Sequence, residues 1–131
     1  MQNANAYFHV LVGKIADELI RSKTRIKNEM IEQYGQELIT NEGRAFIKTQ
    51  ISKEEAYEME VPHLKFIKWN EEDDTNFYVI CRGSHTYDSK EMSVLIEGTV
   101  DTAKELGIET LTPVELQKMI NIWKPKKEEY T

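Results

Sequence analysis

The sequence predicts an α+β fold: a small antiparallel sheet packed against several amphipathic helices. Three observations predict it. Apolar residues recur at helical spacing near the N-terminus and again over the last third, two short runs rich in β-formers lie between them, and a polar acidic stretch suited to a hairpin tip separates those runs. The 131 residues fit one domain, 1–131, with 124–131 read as a frayed, charged tail.

Each element has its own signal. Residues 4–20 place Phe8, Leu11, Val12, Ile15 and Leu19 on one helical stripe, with His9 at its border in a structural role. Ser22 is a good N-cap for a second helix carrying Ile26, Met30 and Tyr34 on one face and ending at Gly35. Ala45 to Gln50 reads as a short strand. Ser52-Lys53-Glu54-Glu55 is a capping-box pattern for a short helix to about Glu58, stopped before Pro62. His63 to Trp69 alternates, with Leu64, Phe66 and Lys68 on one side and His63, Lys65, Ile67 and Trp69 on the other. Phe77 to Cys81 is a continuous apolar run, and 70–76 is the tip between the two.

The last third is the clearest. Asp88 with Glu91 opens a helix whose stripe is Met92, Leu95, Ile96, Thr99, Val100, Ala103 and Leu106, and Gly107 is placed for a left-handed cap. Thr112-Pro113-Val114-Glu115 opens another, with Leu116, Met119, Ile120 and Trp123 facing the core. There is no internal repeat.

Composition narrows the function classes. Seventeen Lys and Arg against 23 Asp and Glu give a net charge of −6, which argues against an all-over basic coat. The charge is segregated, however. Residues 14–27 hold five cations against two acids, and 118–127 hold four lysines and no acid. The acids gather at Glu54, Glu55, Glu58 and Glu60 and in the run 71–74. The longest apolar runs are far short of the roughly 20 residues that span a bilayer, so no membrane role is expected. Lys14 breaks the only apolar stretch near the start, and the lone Cys81 reads as a plain buried thiol; both point to the cytoplasm.

No P-loop, dinucleotide fingerprint or nucleophile elbow is present. His9, His63 and His85 lie far apart and form no HxH or HxxxH pair, so neither a metal nor a cofactor is expected. The loop from Arg82 to Asp88 crowds a cation, hydroxyls, an imidazole and a phenol between a strand end and a helix start. It reads either as a contact surface for phosphate and bases or as a turn whose side chains satisfy its own backbone. Trp69 and Trp123 each sit beside a lysine, Lys68 and Lys124. That pairing suits single-strand binders, although core or edge positions suit both rings.

Two segments carry a family resemblance. One is Asn3-Ala4-Asn5-Ala6-Tyr7-Phe8-His9-Val10-Leu11, running into Gly13-Lys14-Ile15-Ala16. The other is Ser84-His85-Thr86-Tyr87-Asp88-Ser89-Lys90-Glu91-Met92, continuing through Leu95-Ile96 to Ala103-Lys104-Glu105-Leu106-Gly107-Ile108-Glu109-Thr110. In that order they resemble the bacteriophage NinB (Orf) recombination proteins over about half of the chain. The resemblance implies an α+β homodimer that binds DNA, prefers single strands, helps to load a recombinase and is not an enzyme. A single-strand-binding protein or the recombinase is the implied protein partner. Members carry a strand-forming segment before the first anchor, so the expectation here is a shortened relative or a piece of a longer protein.

Under that reading Lys14, Arg21, Lys23, Arg25 and Lys27, with Lys124, Lys126 and Lys127, neutralise phosphates along one electropositive track. Arg82, Ser84, His85 and Tyr87 supply a second contact surface. The alternatives are a protein-interaction module of the phage replication machinery that does not touch DNA and, less favoured, a metal-dependent nuclease using His85 and Asp88.

Overall fold

In the computed structural model, which describes residues 3–125, four helices build one layer and a three-stranded sheet with a short helix builds the other. Helix α1, Ala4–Leu19, is capped by the Asn3 side chain, which accepts from the Ala6 amide at 2.8 Å. It ends at Ile20 in the left-handed region, φ 55°. The capping hydroxyl of Ser22 accepts from the Arg25 amide and starts α2, Lys23–Tyr34. Helices α4, Ser89–Glu105, and α5, Pro113–Ile122, both open with complete capping boxes, Asp88 with Glu91 and Thr112 with Glu115. Gly107 follows α4 at φ 76°, the left-handed stop its position predicts.

The stripes of these helices close on one another. Phe8, Leu11, Ile15, Ile26, Ile31, Met92, Leu95 and Ile96 are sealed in a single core, with Met119 and Ile120 of α5 at its margin. Leu19 departs from expectation: it is more than a third exposed, one residue before the chain leaves the helix. Gly98 of α4 has a packing reason. A Cβ there would lie 2.3 Å from the Tyr34 ring, so only glycine lets α2 seat that ring against α4.

The sheet is antiparallel throughout. A two-residue hairpin, β1 (Ile39–Thr40) with β2 (Gly43–Arg44), was not expected from the sequence. The larger sheet has the order β3-β5-β4, built from β3 Phe46–Thr49, β4 His63–Asn70 and β5 Thr75–Cys81. Its second core is small: Ala56 of α3 (Lys53–Tyr57), Leu64 and Tyr78, flanked by Ile47, Phe66 and Ile80. Glu32 of α2 ties the layers together, accepting from the Tyr57 hydroxyl at 2.7 Å and from the Phe66 amide on the free edge of β4 at 3.3 Å.

One irregularity changes the surface chemistry. A bulge between Phe66 and Lys68 leaves Ile67 unpaired, so Lys68 comes opposite Phe77 and Trp69 opposite Asn76. Simple alternation places Lys68 with Leu64 and Phe66. The bulge instead turns Lys68 to the face of Lys65 and turns Trp69 to the face of Phe66. Trp69 is 52% exposed, its indole donating to Asp74, while Trp123 packs against the helical core and donates to the Tyr87 carbonyl. Among the described residues, no helix is long and apolar enough to cross a membrane.

Candidate nucleic-acid interface

The loop from Arg82 to Asp88 is a structural corner. After β5 the chain makes a 3-10 turn, Ser84–Thr86, and enters α4 through its Asp88 cap. Tyr87 is 0% exposed, its hydroxyl accepting from the Gln36 amide at 3.0 Å and donating to the Arg82 carbonyl at 3.2 Å. Burial pushes that phenol up to about 12. It presents no ring face to a base, which corrects its assignment as a contact. Ser84 is likewise buried and donates to Asn5 Oδ1 at 2.6 Å. Arg82 is committed to Glu91 through two bonds of 3.0 Å and to the Thr86 carbonyl at 2.9 Å. That bidentate pair raises the guanidinium pKa and holds the Glu91 carboxyl below its usual range. Of the four, only His85 is exposed. The loop therefore fixes the joint between sheet and helices, and its segment-by-segment chemistry is spent inwardly.

The basic stretch of α1 and α2 meets the acids that the sequence sets apart from it. Arg25 pairs with Glu54, approaches Glu29 at 3.4 Å and lies over the Tyr57 ring. Arg21 is 3.5 Å from Glu29, and Lys27 is 3.4 Å from Glu60. The Ser22 hydroxyl donates to Glu58 at 2.8 Å and the Thr24 hydroxyl to Glu60 at 2.5 Å. The segment from α3 to Glu60 is thus an acidic strap across the start of α2. Lys14 and Lys23 are exposed. Lys14 follows His9 by five positions, about 140° around α1, whereas Lys23 lies over Gly13 on the α2 side. Lys124 follows α5, whose C-cap Trp123 carbonyl accepts from Ser89 at the start of α4. Lys126 and Lys127 lie outside the described residues. The expected single track of free cations is corrected accordingly: Arg21, Arg25 and Lys27 are already partnered by acids, and of the rest only Lys23 shares a pocket with Lys27, Lys14 lying elsewhere around α1.

A different surface combines cations with aromatic rings. The register places Phe46 and Lys48 of β3, Phe77 and Val79 of β5, and Lys65 and Lys68 of β4 on the face opposite Tyr78. Lys48 and Lys68 reach over the Phe77 ring from the two neighbouring strands, at 5.6 and 5.2 Å. Arg44 lies 5.3 Å from the Phe46 centroid, and Phe46 is 53% exposed. Glu37 accepts from Arg44 at 2.7 and 3.0 Å and stands 3.5 Å from Lys65, while Asp73 pairs with Lys48. Arg44, Lys48 and Lys65 thus share two carboxylates, and among the described residues no carboxylate lies within ion-pair distance of Lys68. Sequence reasoning missed it because the bulge, and not alternation, brings Lys68 to Phe77. The basic and aromatic pairing at Lys68-Trp69 pointed only to this strand, since the bulge sends Trp69 to the other face.

The three histidines, remote in sequence, converge. Asn28, 2% exposed, donates through Nδ2 to the Tyr57 and Met59 carbonyls at 2.8 Å each, which turns its Oδ1 to His63 Nδ1 at 2.6 Å. That geometry puts the proton on Nδ1 and leaves Nε2 for another partner. His9 and His85 are close enough for their charge to bear on His63. Burial first, and the Lys27 ammonium second, lower both His9 and His63. Among the described residues, no group of three His, Cys, Asp or Glu side chains is arranged to hold a metal ion. Cys81 is a buried free thiol that burial raises to about 11. Comparison with protein-family models, curated proteins and solved structures finds no significant match.

Proposed function

We propose that this chain is a non-catalytic nucleic-acid-binding accessory of DNA recombination or replication, of phage or prophage origin, with a preference for single strands. The observation that carries the reading is the face of the β3-β5-β4 sheet opposite Tyr78, where the exposed Phe46 and half-buried Phe77 flank a buried Val79 and sit among Arg44, Lys48, Lys65 and Lys68. Unpaired bases expose π-faces that stack on aromatic rings, and cations at the spacing of neighbouring strands meet the phosphates between them. A duplex hides those π-faces, so such a platform favours single strands. The resemblance to the NinB group supports the same reading and adds a homodimer acting in the cytoplasm beside a recombinase or single-strand-binding protein.

A second reading is a protein-interaction module. It draws on the cleft between α4 and α5 lined by Ile96, Val100, Leu116 and Ile120, beside the exposed Val114 and Ile122. Fluorescence anisotropy with labelled oligo-dT across a salt series separates the two. The proposed function expects binding at low salt with a log–log slope of about −0.7 per phosphate neutralised. Absence of binding at low salt removes it and leaves the interaction module.

A further inference from the structure

Beside α1, the first turns of α2 and the acidic strap form a half-open cavity of about 270 Å³ lined by His9, Val12, Lys23, Thr24, Lys27 and Glu60. Its donors are two ammonium groups, a hydroxyl and an imidazole, and its one acid is the exposed Glu60. That carboxylate already sits as a bound anion would, accepting from Thr24 Oγ1 at 2.5 Å and lying 3.4 Å from Lys27 Nζ. The Thr24 bond, followed by the Lys27 charge, holds Glu60 below the usual carboxylate range. The surroundings are positive enough that Lys27 also lowers His9 and His63, after burial.

We propose that this cavity is a phosphate-binding site, with Glu60 as a displaceable stand-in for the ligand. A phosphate group offers more acceptor oxygens than a carboxylate, so it satisfies Thr24 and Lys27 together and brings in Lys23 and His9. Glu60 belongs to the irregular segment between α3 and β4, and its side chain is exposed and part of neither core. The site is separate from the open sheet face, so it stands or falls independently of the proposed function.

Histidine side-chain ¹H–¹⁵N spectra of the full chain, recorded during titration with inorganic phosphate at constant ionic strength, locate the binding. The expected result is a saturable shift of His9 in the wild type, about tenfold tighter in Glu60→Gln and about tenfold weaker in Lys27→Gln, the scale of one charge-assisted contact. Thermal melts of the same samples report folding, and phosphate is expected to raise the Tm of Glu60→Gln more than that of Lys27→Gln. Hexathymidylate with and without a 5′-phosphate then identifies the source. Competition by both indicates a strand backbone, competition by the phosphorylated form alone a terminal phosphate, and competition by neither free phosphate. Equal affinities in the three proteins, or a His9 resonance that never moves, overturn the proposal.

Discussion

Phe8, Leu11, Ile15, Ile26, Ile31, Met92, Leu95 and Ile96 are sealed together in the helical layer, whereas among the described residues the sheet layer seals a cluster of just Ala56, Leu64 and Tyr78, with Val79 buried apart from it on the other face. The sheet compensates with links of another kind: the Glu37–Arg44 pair, the Lys48–Asp73 pair, two lysines over Phe77 and the Glu32 bonds to α3 and β4. Apolar burial stabilises at roughly 25 cal/mol per Å², while exposed ion pairs contribute about 0–1 kcal/mol each. The helical layer therefore carries the stability. The sheet layer, less occupied with its own core, has aromatic and basic side chains left over for solvent. Division of labour follows from the size of the two cores.

The largest test of that contrast is a pair of truncations. Phe8→Ala is expected to cost about 3–5 kcal/mol and Leu64→Ala about 2 kcal/mol, measured by urea unfolding. Equal costs would mean that the sheet core matters more than its size suggests. Next in size is the joint between the layers. Asp88→Ala removes the acceptor of the Glu91 amide and is expected to destabilise by about 1 kcal/mol, with a further loss if Glu91 then releases Arg82. A silent Asp88→Ala would show that the cap is redundant with the packing of α4.

The smallest effect is in pH dependence. His63 is lowered from 6.5 in the fold, so on acidification the unfolded chain takes up this proton first and stability falls from about pH 6.5 downward. Glu91 is lowered from 4.5, so its contribution is present above that value and is lost as pH falls through its folded pKa. Both act in the same direction, in successive windows. Urea midpoints recorded against pH should fall in two phases, and His63→Gln should shrink the one near pH 6.5 to the part that His9 contributes, leaving the lower one unchanged. A single phase unchanged by His63→Gln would remove the imidazole from the account.

The same contrast explains what the sequence discloses. Helices α1, α2, α4 and α5 are legible because stripe, cap and stop lie within one local stretch, as in Asp88, Glu91 and Gly107. Strands β3, β4 and β5 are legible as elements, unlike the two-residue β1 and β2, yet their faces are not. One unpaired residue, Ile67, reverses the side on which Lys68 and Trp69 emerge, and nothing in the alternation announces it. The partners of Arg25 and Lys27 lie 29 and 33 positions away in the strap, so their charge reads as free until the fold pairs it. Tyr87 shows the converse. A phenol in a polar loop reads as surface chemistry, but the ring joins the helical core and its hydroxyl meets the Gln36 amide from a distant segment.

The central proposal is that the aromatic and basic sheet face, and not the acid-paired Arg21 and Arg25, supplies the main contacts to nucleic acid. The most direct measurement is the salt dependence of oligo-dT binding by the double variant Lys48→Gln/Lys68→Gln beside Arg21→Gln/Arg25→Gln. The account predicts that the sheet pair lowers the slope by about 1.4 while the helix pair leaves it within error of the wild type. The reverse pattern, a slope lost with the arginines and kept without the lysines, would contradict it.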